Sequence, residues 1–233
     1  MSRRCFALIP AAGVGARSGS GTPKQYANLN GLPMLFHTLR PFVACDKIAG
    51  IRVVLSPDDA WHCGAEALKL RELAGDRLRF LPAGGATRAA SVANGLEALA
   101  TEAESDDWVL VHDAARPCIT PALINHLIDT LAEDPVGGLL AIPVADTVKR
   151  MSADQRVSGT VSRDGLWLAQ TPQMFRLGLL RKAYQLSSQV TDEAGAVEGL
   201  GLAPLLVTGS VRNIKVTFPD DFRLAEHYLS QPD

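Results

Sequence analysis

The chain has 233 residues, 47% of them hydrophobic and 21% charged, with a formal net charge of -2 at pH 7. Such a composition is ordinarily globular, and the length suits one domain, residues 1–233, with a sizeable buried core. Near-neutral charge without a long basic run gives no reason to expect nucleic acid or an acidic membrane as partner, and no apolar stretch reaches the ~20 residues of a spanning helix.

The chain opens on Arg3-Arg4 and a short apolar run, Cys5 to Pro10. This faintly resembles the start of a signal peptide, but the run is short and passes directly into Ala11-Ala12-Gly13-Val14-Gly15, which fits a buried strand feeding a tight loop. Further apolar strands are predicted over 51–55, 78–81, 108–112 and 139–144, with helices over 34–44, 58–73, 88–100 and 121–133 between most of them. That alternation predicts an α/β fold with a mostly parallel sheet covered by helices on both faces, its active site beyond the carboxyl ends of the strands. Residues 145–165 turn polar and β-branched, with little that could line a core, and predict a protruding β-hairpin arm. Helices follow near 177–187 and 192–199, strands near 205–207 and 211–217, and a last helix begins at Pro219-Asp220. The four cysteines, Cys5, Cys45, Cys63 and Cys118, are scattered without metal-ligand spacing and read as free thiols in a reducing cytoplasm.

Three chemistries compete for the glycine-rich turn. A dinucleotide fingerprint starts at Gly13-Val14-Gly15 but has Ser18 where the third glycine belongs, and the second strand ends in Leu55-Ser56-Pro57 without an acid for a ribose. A Walker-type loop needs Gly-Lys-Ser/Thr, whereas this chain has Pro23-Lys24-Gln25. A third reading places Arg17 and Lys24 as two cations in one long loop whose backbone donors and charge suit a triphosphate.

Two other strand ends carry polar groups. Asp113, after the strand 108–112, stands where one carboxylate can serve Mg2+, whose remaining ligands are phosphate and water; a helix cap or turn residue is the alternative. Gly84-Gly85 to Ser91 opens a helix where backbone and the Ser91 hydroxyl could meet a pyrimidine, or could form a glycine turn with a buried serine. His112 reads as a packing residue.

Pro10-Ala11-Ala12-Gly13-Val14-Gly15-Ala16-Arg17, Pro23-Lys24-Gln25-Tyr26 and Val111-His112-Asp113-Ala114-Ala115-Arg116-Pro117 together resemble the 2-C-methyl-D-erythritol 4-phosphate cytidylyltransferase family. Asp146-Thr147, Arg163 to Trp167, Gln170-Thr171-Pro172-Gln173, Thr191 to Ala194 and Asn213 to Thr217 follow in the family's order, so the resemblance covers nearly the whole chain. It implies a Rossmann-like nucleotidyltransferase fold, a homodimer with 145–165 as its arm, and transfer of CMP from CTP to a polyol phosphate in non-mevalonate isoprenoid biosynthesis. By the same resemblance Pro10, Ala11, Ala12, Gly13 and Gly15 cradle CTP, and Arg17 and Lys24 stabilise charge on its α-phosphate. Gly85 and Ser91 contact cytosine, and Asp113 is shared by Mg2+ and the polyol. Arg116, Thr147, Arg163, Thr171, Thr191 and Lys215 surround the acceptor, with Arg163 and Lys215 orienting its attacking phosphate. Ser18 and Ala86 depart from the family's usual residues; Ala86 shifts base selection toward backbone groups and Ser91.

A phosphate monoester is already a nucleophile at neutral pH, so such a site needs positioning and charge stabilisation rather than a catalytic triad. Two rivals remain: a ribitol 5-phosphate cytidylyltransferase, which shares the glycine turn and the Pro-Lys-Gln segment, and a nucleotide-binding module without turnover, which would have no need of Lys24, Asp113 and Lys215 together.

Overall fold

The computed structural model describes residues 3–13, 23–186 and 191–231. The first strand, β1 (Cys5–Pro10), alternates its side chains between two cores: Cys5, Ala7 and Ile9 face one side of the sheet, Phe6 and Leu8 the other. A short hairpin, β2 (Asn28–Leu29) with β3 (Leu32–Pro33), leads into α1 (Met34–Val43). Then come β4 (Ile48–Val54), α2 (Ala65–Ala74), β5 (Leu78–Leu81), α3 (Arg88–Leu99), β6 (Trp108–Val111), α4 (Pro121–Leu131) and β7 (Gly137–Pro143). The remainder comprises β8 (Val148–Met151), β9 (Val157–Val161), β10 (Trp167–Arg176), α5 (Leu177–Leu186), α6 (Glu193–Glu198), β11 (Leu205–Thr208) and α7 (Pro219–Ser230).

Among the described residues, a seven-stranded sheet runs in the order β11-β7-β10-β6-β1-β4-β5. It is parallel except at β10, which lies antiparallel between β6 and β7. Helices α1, α2 and α4 cover one face through Leu35, Leu39, Phe42, Leu70, Ile124 and Leu127. Helices α3, α5 and α6 cover the other through Val92, Leu96, Leu180 and Val197. Burying each of these larger side chains contributes roughly 1.5–3 kcal/mol, which explains why the strands read as nearly unbroken apolar runs. Threonines set two of the starts: Thr87 Oγ1 accepts the Ala90 N–H before α3, and Thr120 Oγ1 accepts the Leu123 N–H before α4, which has Pro121 in its first turn.

The expected fold class is met, two local expectations are corrected and one strand is added. Residues 58–73 are not one helix: the Asp59 carboxylate takes the Trp61 N–H, turning the chain into a 3-10 segment at Trp61–Cys63 before α2 begins at Ala65. Residues 211–217 are not a strand. The Val216 N–H bonds the Ala115 carbonyl, the Asn213 carbonyl accepts from Arg116 and the Asn213 amide donates to Thr171 O, so this segment spends its polar groups on loops instead of a ladder. The longest strand, β10, was not expected at all; its pairing with β7 slips between Ala169 and Gln173, leaving residues 170–172 out of register beside the active-site cleft.

The hairpin expected over 145–165 is present as β8 paired only with β9 in a two-stranded sheet of its own. Met151 and Val157 on it are each 67% exposed, a waste of apolar surface for an isolated chain.

Candidate active site

The cleft lies beyond the carboxyl ends of β1, β4 and β6. At its floor the chain leaves β1 with the Ala11 N–H bonded to Val54 O, while buried Gln25 donates its amide to Ala11 O over 2.9 Å. That bond staples the 3-10 turn Lys24–Tyr26 to the end of β1, and Lys24 accordingly shares a cleft wall with Pro10, Ala11 and Gly13. Tyr26 stacks on Trp61 and donates its hydroxyl to Asp59, fixing the same turn from outside. Gly15 and Arg17 lie outside the described residues, as do Val14 and Ser18.

On the nucleotide side, Gly84 and Gly85 let three elements meet. A Cβ on Gly84 would stand 2.3 Å from Ala12 Cβ, and one on Gly85 would stand 2.6 Å from Ala90 Cβ and 3.0 Å from the Ala90 carbonyl carbon, so a side chain at 84 would push this loop off Ala12 and one at 85 would push it off α3. Ser91 is buried, donating its hydroxyl to Thr87 O and accepting the Gly85 N–H, both at 3.0 Å. It thus shapes the loop at the edge of the cleft. Pro10, Ala12, Gly13, Ser56, Ala86 and Arg88 join Gly85 and Ser91 around a cavity of about 410 Å³.

On the acceptor side, Asp113 is 7% exposed and clamped by two cations: Arg88 Nε donates to its Oδ1 and Lys215 Nζ to its Oδ2, each at 2.8 Å. Burial opposes ionisation, but Arg88 and Lys215 outweigh it and hold the Asp113 carboxyl well below the usual carboxylate range. Lys24, Gln25, Arg88, Asp113, Ala115 and Lys215 line this pocket of about 220 Å³ together with the end of β1.

Behind Asp113 runs a chain of hydrogen bonds with one consistent direction. The Asp113 N–H donates to Thr171 Oγ1, the Thr171 hydroxyl donates to His112 Nδ1, and His112 Nε2–H donates to Arg116 O. His112 is fully buried against Phe42, and burial pushes it down to about 4, so the imidazole is neutral. Thr171 therefore faces inward. Arg116 is likewise buried, its fork on Asn213 O and Ala169 O and its Nε without a partner, and burial lowers its basicity.

The structure brings Lys24, Asp113 and Lys215 together but leaves Thr147 and Arg163 away from both cavities of the cleft. They are exposed at the two roots of the arm, where Arg163 donates to Ala145 O. Thr191 is exposed just before α6. Sequence reasoning missed Arg88, which links Asp113 to Glu193; its only signal was a cation opening a helix behind a capping threonine.

Residues 5–231 match the family model for 2-C-methyl-D-erythritol 4-phosphate cytidylyltransferase. The chain belongs to the 2-C-methyl-D-erythritol 4-phosphate cytidylyltransferase family. Among the cytidylyltransferases it resembles are that of Laribacter hongkongensis, 57% identical over 228 residues with 97% of this chain and 96% of the relative covered, and that of Paraburkholderia phytofirmans, 55% identical over 240 residues with 100% and 98% covered. A crystal structure of 4-diphosphocytidyl-2C-methyl-D-erythritol synthase superposes with a TM-score of 0.85 at 40% identity, covering 99% of this chain and 100% of that one. The cytidylyltransferase of Thermus thermophilus gives 0.76 at 30% identity, with 96% and 98% covered. The resemblance seen in the motifs thus extends over the fold, and the chain is a nucleotidyltransferase.

Proposed function

We propose that this protein transfers CMP from CTP to 2-C-methyl-D-erythritol 4-phosphate, giving 4-diphosphocytidyl-2-C-methyl-D-erythritol and pyrophosphate in non-mevalonate isoprenoid biosynthesis. The family match over residues 5–231 carries this reading, and the shared pocket of Lys24, Asp113 and Lys215 supports it.

In the reaction a phosphate oxygen of the acceptor attacks the α-phosphorus of CTP in line, the bond to the β-phosphate oxygen breaks, and pyrophosphate leaves. The backbone of Pro10, Ala11, Ala12, Gly13 and Gly15 cradles the triphosphate. Lys24 and Arg17 stabilise the charge that accumulates on the α-phosphate, while Lys215 and Arg163 hold the acceptor phosphate for attack. Gly85 and Ser91 select cytosine, and Arg116, Thr147, Thr171 and Thr191 complete the acceptor's surroundings. Because the Thr171 hydroxyl is committed to His112, its part is to set the backbone of Asp113.

Asp113 also suits a divalent cation, Mg2+. Its carboxylate is ionised, each oxygen keeps a lone pair beyond its ion pair, and one carboxylate is an ordinary protein contribution to a Mg2+ site. Among the described residues no three His, Cys, Asp or Glu side chains gather to hold a metal, so phosphate oxygens and water would supply the other ligands. When bound, the cation neutralises phosphate charge and acts as a Lewis acid.

The working unit is a homodimer in which the 145–165 arm carries Thr147 and Arg163 into the partner's cleft. Exposed Met151 and Val157 support this reading. The setting is cytoplasmic, in keeping with four free thiols, three of them buried.

The test is pyrophosphate release with CTP, Mg2+ and either methylerythritol phosphate or ribitol 5-phosphate, then with UTP or ATP replacing CTP. Faster release with methylerythritol phosphate and CTP is expected. Equal or reversed rates between the two acceptors would overturn the methylerythritol phosphate assignment, and reversed rates would favour the ribitol phosphate reading.

A further inference from the structure

Arg88 has no role in the assignments above, yet its position needs an explanation. It is the first residue of α3, where the partial positive charge of the helix end disfavours a cation. Three hydrogen bonds compensate. Nε reaches Asp113 Oδ1 at 2.8 Å, while Nη1 and Nη2 fork onto Glu193 Oε1 and Oε2 at 2.8 and 3.1 Å. Burial alone would lower the basicity of Arg88, but Glu193 and Asp113 reverse that and hold the guanidinium charged.

Glu193 is 0% exposed and receives a further hydrogen bond, 2.7 Å long, from the Tyr184 hydroxyl on α5. A carboxylate so deeply placed must be fully partnered, so Arg88 and Tyr184 are obligatory neighbours. Glu193 stands in the first turn of α6, two residues after Thr191. Gln173 secures the same turn, donating to Asp192 Oδ2 and accepting the Ala194 N–H. Both partners of Arg88 therefore belong to the acceptor side of the cleft: Asp113 directly, and Glu193 through the segment bearing Thr191.

We infer that Arg88 is a positioning residue: braced from behind by Glu193 and Tyr184, it fixes the Asp113 carboxylate and ties the Thr191 segment to it, so that it governs acceptor recognition and turnover rather than CTP affinity. The inference rests on the cytidylyl-transfer reading above. Glu193 gives the decisive variant, because a residue without exposed surface cannot touch a substrate.

The experiment compares wild type with Arg88→Lys, Glu193→Gln and Tyr184→Phe, measuring kcat and KM for methylerythritol phosphate by pyrophosphate release and CTP affinity separately by calorimetry. Circular dichroism and thermal melting establish that each variant is folded. Lysine keeps the charge but cannot fork onto one carboxylate while holding another, so Arg88→Lys should lower kcat/KM for the acceptor by about 10–100-fold, the usual scale for losing a group that orients a ligand. Glu193→Gln keeps the size and should act in the same direction, with Tyr184→Phe weaker. CTP affinity should stay within about threefold in Glu193→Gln and Tyr184→Phe, whose residues line neither cavity of the cleft, whereas Arg88 itself borders the nucleotide side. Folded Arg88→Lys and Glu193→Gln variants with wild-type acceptor kinetics would overturn the inference, as would a parallel loss of CTP affinity in Glu193→Gln. Wild-type protein that releases no pyrophosphate would overturn the proposed function and this inference with it.

Discussion

Lys215 Nζ and Asp113 Oδ2 lie 2.8 Å apart, joining a half-exposed ammonium to a carboxylate that is nearly buried. Asp113 thereby anchors a lysine proposed to hold the acceptor phosphate and is itself the proposed ligand of the cation. Asp113→Asn should nearly abolish turnover and weaken the response to Mg2+, because an amide is a poorer ligand for a hard cation and leaves Lys215 without its counter-charge. Activity titrated with Mg2+ in both proteins checks this, and an unchanged titration would remove Asp113 from the metal role.

Lys24 sits in a turn stapled by Gln25 to the end of β1, which supports the proposal that its charge stabilises the transition state. Lys24→Ala should lower kcat by roughly 10²–10³-fold, the scale for removing a preorganised charge stabiliser, with folding preserved. Arg17→Ala should behave alike. Steady-state kinetics decide the point: normal kcat with a raised KM for CTP would make the residue a ground-state binder.

The arm acting in trans predicts complementation. Lys24→Ala and Arg163→Ala homodimers should each be nearly inactive, but a mixed dimer has one cleft with both defects and one with neither. With random exchange of equal amounts, half the dimers are mixed and half of their sites are intact, so activity should recover to about a quarter of wild type. Exchange is verified with differently tagged chains; exchange without recovery would place Arg163 in its own subunit's site.

Neutral His112 should make the fold acid-sensitive. Its value falls from 6.5 to about 4 on folding, so below pH 6.5 the unfolded chain takes up a proton that the native chain refuses. Stability should decline as pH drops from 6.5 towards 4, by at most roughly 3 kcal/mol. Asp113 contributes its own loss only as pH falls through about 3.8, where the unfolded chain's carboxyl takes up a proton that the native carboxylate refuses. Denaturant melts at pH 7, 5.5 and 4.5 should show the decline in wild type and a flatter profile in His112→Gln; equal slopes would count against a neutral buried imidazole.

The sequence made the apolar framework legible because burial on both faces leaves an unmistakable record: β1 and β6 are nearly pure hydrocarbon, and each runs into its motif at Ala11 or Asp113. What it concealed was β10. That strand reads Trp-Leu-Ala-Gln-Thr-Pro-Gln-Met-Phe-Arg, with a proline and polar side chains breaking its alternation, because residues 170–172 are shaped to hold Asp113 and Asn213 rather than to extend a ladder. The stretch around Val211 and Val216 misled in the opposite sense, since Val216 is buried with its N–H on the Ala115 loop carbonyl and Val211 is exposed, and neither joins a ladder. Arg88 was invisible as a functional residue because its partners Asp113 and Glu193 are 25 and 105 positions away, a proximity that only the folded topology creates.

Strand β10 begins at exposed Trp167, beside the arm, and ends at Arg176 paired with β6, passing Thr171 on the way. In the proposed dimer, one stretch of backbone thus belongs to both the subunit contact and the acceptor pocket. Association and acceptor binding then share free energy, and linkage requires that each strengthen the other by the same factor. Dilution becomes a variable of catalysis: below the dimer dissociation constant, the acceptor KM should climb as enzyme concentration falls, and added acceptor should pull monomers back together.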